Sequence, residues 1–259
     1  MNTERADEIL KDAYLYKELE QQKVLDNLLK LLHPEMIFVD IGAGQGNYIF
    51  QANKIIDRIS LYAIEPDPLK FSILQENCNY WETLSNNNIY PLQIAISDQD
   101  ENSDFYITKS PRIKRIFKPD LSQIEDEIRE EVVIEKVTIS CYKLDSLFRE
   151  MKPDLIKIDI ESYELKILQG STNILEQGQA KFLIKIHNNS SSKGEDNKTK
   201  IFNFMSLFGY YPRDFYGITL FVNFEKCKRY NYLLHFLKRL YRQILPTAFR
   251  YWLRNLRRH

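Results

Sequence analysis

Apolar residues recur at helical spacing from Thr3 to Leu32, at Ile9, Leu10, Ala13 and Tyr14 and again at Val24, Leu25, Leu28, Leu29 and Leu32. Such a stripe predicts one or two amphipathic helices laid over a core. After His33-Pro34 the pattern changes. Met36 to Ile41 is a short apolar run ending in glycines, which reads as a strand buried on both faces. A helix is expected over Gly46 to Ile56, a strand over Ile59 to Ile64, a helix over Pro68 to Tyr80 and a third strand over Ile89 to Ile96. Leu155 to Ile160 and Phe182 to His187 continue the strand series, with a helix over Tyr163 to Gln169 between them. Strands alternating with helices of this length imply right-handed crossovers and a parallel sheet with helices on both faces.

The segment between the third strand and Leu155 breaks that rhythm. Asp104 to Thr108 and Val132 to Ser140 are β-like, and Leu121 to Glu131 is acidic and helical in pattern. It reads as an insertion on one face of the sheet, over about residues 98–153. Ser190 to Lys200 is polar throughout and reads as a loop.

Composition adds bounds. With 259 residues, 44% hydrophobic and 28% charged, the chain can bury a real core, which excludes general disorder. The three cysteines, Cys78, Cys141 and Cys227, show neither a Cys-x-x-Cys pair nor metal-ligand spacing, so a reducing compartment is expected. The charged residues from Met1 to Asp12 do not look like a secretory leader, and no apolar run reaches the ~18 residues of a membrane-spanning helix.

The formal net charge of zero hides an asymmetry. Residues 226–259 carry ten Lys or Arg and no Asp or Glu, which leaves the rest of the chain acidic by ten. In that tail Leu233, Leu237, Leu240, Tyr241 and Ile244 share one helical face, and Phe249, Trp252, Leu253 and Leu256 repeat the spacing against arginines. The pattern suits an anionic membrane interface, with packing of the first stretch on the sheet as the alternative. Nucleic acid is a weaker candidate, because the body is acidic and no recognition motif accompanies the tail.

The candidate chemistry begins at Asp40-Ile41-Gly42-Ala43-Gly44-Gln45-Gly46, which follows a strand and opens a helix. Glycines there let the backbone turn tightly and approach a ligand. Glu65 ends the next strand, where a carboxylate accepts hydrogen bonds from ribose hydroxyls. A nucleoside cofactor is therefore expected across the first two strand ends. A dinucleotide turn would place its third glycine at position 47, which is Asn47. Asp40 would repel a diphosphate but suits the ammonium of an amino-acid moiety. These two residues favour S-adenosylmethionine over a nicotinamide cofactor. An NAD(P)-dependent oxidoreductase and a catalytically silent nucleoside-binding module are the alternatives.

With these pieces in place the chain resembles the FkbM-like S-adenosylmethionine-dependent methyltransferases. The matching blocks are Phe38 to Gly46, Ala63 to Pro68, Ala95 to Asp98, Leu144 to Phe148 and Ile156 to Gly170. The resemblance implies a Rossmann-like class I methyltransferase fold with a mostly parallel seven-stranded sheet. It also implies O-methylation of hydroxyls on glycans, glycolipids or polyketides. Carried over by position, Asp40, Gly42, Ala43, Gly44, Gly46, Glu65, Pro66 and Asp159 would line the cofactor, with Ala95 and Ile96 near the adenine. Two positions depart from the family's usual residues: Ser162 stands where glycine is common, and Lys185 where an acid often stands.

Methyl transfer to a hydroxyl calls for a base or a metal within hydrogen-bond reach. Strand ends supply Asp159, Glu161 and His187 as catalytic candidates, each also readable as a structural residue. Asp159 and Glu161, two apart, would face one side of an extended strand and could serve as base, cation ligands or ammonium ligands. No metal-ligand set is assigned, although a divalent cation would be compatible with the carboxylates. Asp145 reads as a turn or capping residue. The expected organisation is a helical cover over 1–35, a methyltransferase domain over 36–225 and a basic amphipathic extension over 226–259. The expected location is cytoplasmic, or peripheral on the cytoplasmic face of a membrane. The acceptor and the oligomeric state are not specified by the sequence.

Overall fold

The computed structural model describes residues 22–108, 133–160, 163–187, 196–215 and 218–223. The acidic stretch 121–131, the first helical repeat, Glu161 and the basic extension therefore lie outside the described residues. Seven strands form the main sheet. They are β1 (Ile37–Ile41), β2 (Ser60–Ile64), β3 (Asn88–Leu92), β7 (Leu155–Ile158), β8 (Lys181–Ile184), β9 (Tyr210–Phe215) and β10 (Ile218–Asn223), in the order β3-β2-β1-β7-β8-β10-β9. The first five run parallel, and β10 lies antiparallel to both β8 and β9. This is the α/β class I methyltransferase fold that the resemblance implies.

Alternate side chains of the central strands feed two cores, one on each face. Phe38 packs with Leu61, Ala63 and Leu74 on one side, joined by Val24, Leu28 and Leu32 from helix α1 (residues 22–29) and its exit. Val39, Ile41, Ile156 and Ile158 pack on the other face with Ile167, Leu168 and Ile201. The described part of the amino-terminal repeat is thus a helix covering one face of the sheet.

Two expectations need correction. The third strand does not run through Ile96: β3 stops at Leu92, and β4 (Ala95–Ile96) pairs instead with β6 (Val133–Tyr142). β6 also pairs antiparallel with β5 (Glu101–Thr108), so the interruption forms a second, three-stranded sheet. The two pieces run together in sequence, but they belong to different sheets. The polar segment after Ser190 is not loop throughout. α7 (Asn197–Leu207) begins inside it, because the Asp196 carboxylate accepts from the Thr199 main-chain N–H at 2.6 Å. Capping by the side chain starts a helix where composition alone signals a loop.

Helices α2 (Asn47–Ile55) and α3 (Pro68–Glu82) follow β1 and β2. The short helices α4 (Leu144–Leu147), α5 (Glu164–Gln169) and α6 (Thr172–Gln177) flank β7. Asp145 is a capping residue: its carboxylate accepts from the main-chain N–H groups of Asn173 and Ile174 at the start of α6. Among the described residues no helix is long and apolar enough to cross a membrane.

Candidate functional site

Chain order reverses direction across the sheet between β1 and β7, since β2 and β3 lie on one side of β1 and β7 and β8 on the other. In open parallel sheets this switch point, at the carboxyl ends of the strands, is where ligands enter. β1 ends there in the glycine turn, β7 in Asp159, β2 in Glu65 and β8 in Lys185 to His187.

The three glycines of the turn all take positive φ, but for different reasons. At Gly42 a Cβ would lie 2.4 Å from the Asp159 carbonyl oxygen, so glycine lets the ends of β1 and β7 close on each other. At Gly46, the N-cap of α2, a Cβ would meet Leu74 and Trp81 at 2.8 Å, so glycine seats α2 against α3. At Gly44, with φ of 61°, a Cβ would meet nothing within 4 Å. Gly44 alone of the three faces open space, and it is where the backbone can approach a ligand.

Glu65 is buried and braces that residue. One carboxylate oxygen accepts from the Gly44 N–H at 2.9 Å and the other from the Asp67 N–H at 3.2 Å. Pro66, half-buried, separates Glu65 from Asp67, which caps α3. Ala43 is buried, and its N–H, like that of Gly42, donates to the Ile64 carbonyl, tying the turn to the end of β2. Ala95 and Ile96 are buried in the second sheet, and Ile96 packs into the same core as Ile41 and Ile64. The turn, the acid after it and the apolar wall of Ile96 thus sit around one end of the sheet.

Asp40 has a setting that its place in the sequence does not reveal. It is fully buried, and Lys157 Nζ, in the middle of β7, donates to its Oδ1 at 2.7 Å. Its Oδ2 is buried with no hydrogen-bond partner among the described residues. The carboxylate thus has a counter-charge inside the protein. Burial opposes the charge on Lys157, but Asp40 first, and then Asp159 and Tyr48, outweigh it and push its pKa up, so the ammonium persists. Lys157 Nζ also sits 4.5 Å from the centre of the Tyr48 ring. This lysine was not singled out from the sequence, although a cation inside the apolar run Leu155 to Ile158 was the available signal.

On the other side of the switch point, Asp159 and His187 are brought together, with Asp159 Oδ1 3.9 Å from His187 Nε2. Lys185 Nζ is 3.2 Å from the same Oδ1. Burial alone would raise the Asp159 pKa, but Lys157 foremost, then Lys185 and His187, bring it below the ordinary carboxylate value. Asp159 is an anion at neutral pH. His187 Nδ1 lies 2.8 Å from Oε1 of Glu164, a fully buried residue that opens α5. A carboxylate only accepts, so Nδ1 carries the proton and Nε2 is left with the lone pair in the neutral ring. The Glu164 contact is the main reason that the His187 pKa is raised. Glu164 also escaped the sequence reading, since nothing local links it to a histidine 23 positions away.

The site suits S-adenosylmethionine. Open space beside Gly44 admits a ligand, and a buried acid stands at the end of β2. Among the described residues no group of three acids, histidines or cysteines converges to hold a metal ion.

Comparison with known proteins finds a family and distant relatives. Residues 40–212 match the family model of the methyltransferase FkbM domain. The hexuronic acid methyltransferase AglP of Haloferax volcanii is 24% identical over 156 residues, which are 60% of this chain and 58% of that protein. The chain thus spans a little over half the length of that curated relative. Among solved structures, methyltransferase FkbM from Methylobacillus flagellatus superposes with a TM-score of 0.48 at 16% identity, covering 73% of this chain and 44% of the other. A precorrin-6y C5,15-methyltransferase from Geobacter metallireducens gives 0.39 at 13% identity, covering 74% and 73%.

Proposed function

The chain belongs to the FkbM methyltransferase family, and from that premise we propose that it is an S-adenosylmethionine-dependent methyltransferase whose acceptor is a hydroxyl on a sugar of a polysaccharide or glycolipid. The observation that carries this reading is His187 at the carboxyl edge of the sheet, with Nδ1 occupied and Nε2 beside the anionic Asp159. A sugar hydroxyl needs such a base, because it is a weak nucleophile until its proton leaves. The glycan class is supported by the hexuronic acid named in the relative.

S-adenosylmethionine supplies, when bound, a methyl group activated by the sulfonium. Gly44 and Glu65 would hold it, with the backbone of the turn against the ligand and the acid near the ribose. His187 Nε2 would take the proton of the acceptor hydroxyl. Asp159, already ionised, stabilises the imidazolium that forms and is not itself the base. The ten basic and no acidic residues of 226–259 support peripheral attachment to an anionic membrane, beside lipid-linked acceptors.

The test is transfer of labelled methyl to neutral and uronic-acid oligosaccharides. A methyl ether survives mild alkali and a methyl ester does not. The expected product is alkali-stable, and His187→Ala is expected to slow its formation by about 10²-fold or more. An alkali-labile product would place the methyl on a carboxylate and remove the need for a base.

A further inference from the structure

Glu164 makes more contacts than a helix start requires. Its Oε1 accepts from both the main-chain N–H and Nδ1 of His187, at 3.0 and 2.8 Å. Its Oε2 accepts from Nδ2 of Asn197 at 3.0 Å, and that same nitrogen donates to the His187 carbonyl at 2.9 Å. One carboxylate thus joins the first residue of α5, the end of β8 and the first residue of α7.

We propose that Glu164 is a positioning residue for methyl transfer, which fixes His187 as the Nδ1–H tautomer and aims Nε2 at the acceptor. The inference rests on His187 being the base. A carboxylate whose task was only to staple α7 to β8 would be satisfied by the His187 main-chain N–H and by Asn197. The bond to the ring is surplus to that task, and it is the one that selects the tautomer. It also places a buried anion against the imidazolium as the proton arrives, much as a carboxylate orients the histidine of a hydrolase triad. Every group facing the ring enters the balance: Glu164 from α5, Asp159 from the end of β7, Lys185 from the histidine's own strand end and the neutral Asn197 from α7. The two carboxylates outweigh Lys185, so removal of Glu164 lowers the pH at which the ring titrates.

The experiment is nitrogen NMR of the full chain with labelled histidine, the His187 signal being assigned by its loss in His187→Gln. The expected wild-type spectrum shows the Nδ1–H tautomer. In Glu164→Gln the titration midpoint should fall by about one pH unit, the size of effect a neighbouring charge exerts. The lower limb of the kcat–pH profile should fall with it, while S-adenosylhomocysteine affinity stays within about twofold. Asn197→Ala keeps the carboxylate and should leave the midpoint in place, which guards against a loss caused by loosened folding. An Nε2–H tautomer in the wild type, or a midpoint unmoved in Glu164→Gln, would overturn the proposal. So would a moved midpoint with a kcat limb that stays put. The NMR readout needs no acceptor, so failure of every glycan in the transfer assay would count against the acceptor class alone.

Discussion

Lys157 and Asp40 form a buried pair 2.7 Å apart, with 2% and 0% of their side chains exposed. Removing one partner of such a pair leaves a charge stranded in low dielectric, at a cost of about 3–5 kcal/mol. Lys157→Met is therefore expected to lower stability by about that amount in chemical denaturation, and Asp40→Asn with Lys157→Met to lower it by less than Lys157→Met alone. Equal losses would show that the pair is not what balances Asp40. The pairing of Asp40 with Lys157 was not legible in the sequence, because the partner, 117 residues away, cannot be seen from local spacing. Gly44 gives a complementary test. Gly44→Ala costs about 1–2 kcal/mol for the left-handed backbone, and its methyl group enters the open space of the turn. A clear loss of S-adenosylhomocysteine affinity should follow, and unchanged affinity would show that the ligand does not approach there.

The elements were legible wherever periodicity and burial coincide, as in β1, β2, β7 and β8, whose ends were read to within a few residues. They were obscure where a single side chain makes the decision. α7 starts because Asp196 caps it, and α6 because Asp145 reaches across from α4. Asp145→Ala should destabilise the protein by about 1 kcal/mol, the usual value of a cap, seen as a small fall in Tm. An unchanged Tm would mean that α6 is held by packing of Ile174 and Leu175 alone. The candidate site follows the same division. The glycine turn and Glu65 lie within one βαβ unit and could be read together. The clamp on His187 draws on three elements that only the folded sheet brings to one place.

For the whole molecule, charge sets how stability depends on pH. Folding raises the His187 pKa, so its contribution is complete below the unfolded value of about 6.5 and is lost as pH rises through the folded value. Folding lowers the Asp159 pKa, so that contribution is present above the unfolded value of about 3.9 and is lost as pH falls through the folded one. Stability measured against pH should fall on both sides, and His187→Gln should flatten the alkaline side. An unaltered alkaline side would mean that His187 is not stabilised by Glu164 in solution. The ten cationic residues of the carboxyl extension add a separate test. Flotation with anionic vesicles should be lost in a chain ending at Glu225, and equal flotation of both forms would rule out membrane attachment through that segment. The central claim, however, is that the turn and Glu65 hold S-adenosylmethionine, and calorimetric titration with S-adenosylhomocysteine tests it most directly. The expected result is one site of micromolar affinity, weakened about tenfold or more by Glu65→Ala, with no binding of NADH. Full affinity in Glu65→Ala, or binding of NADH in place of S-adenosylhomocysteine, would contradict it.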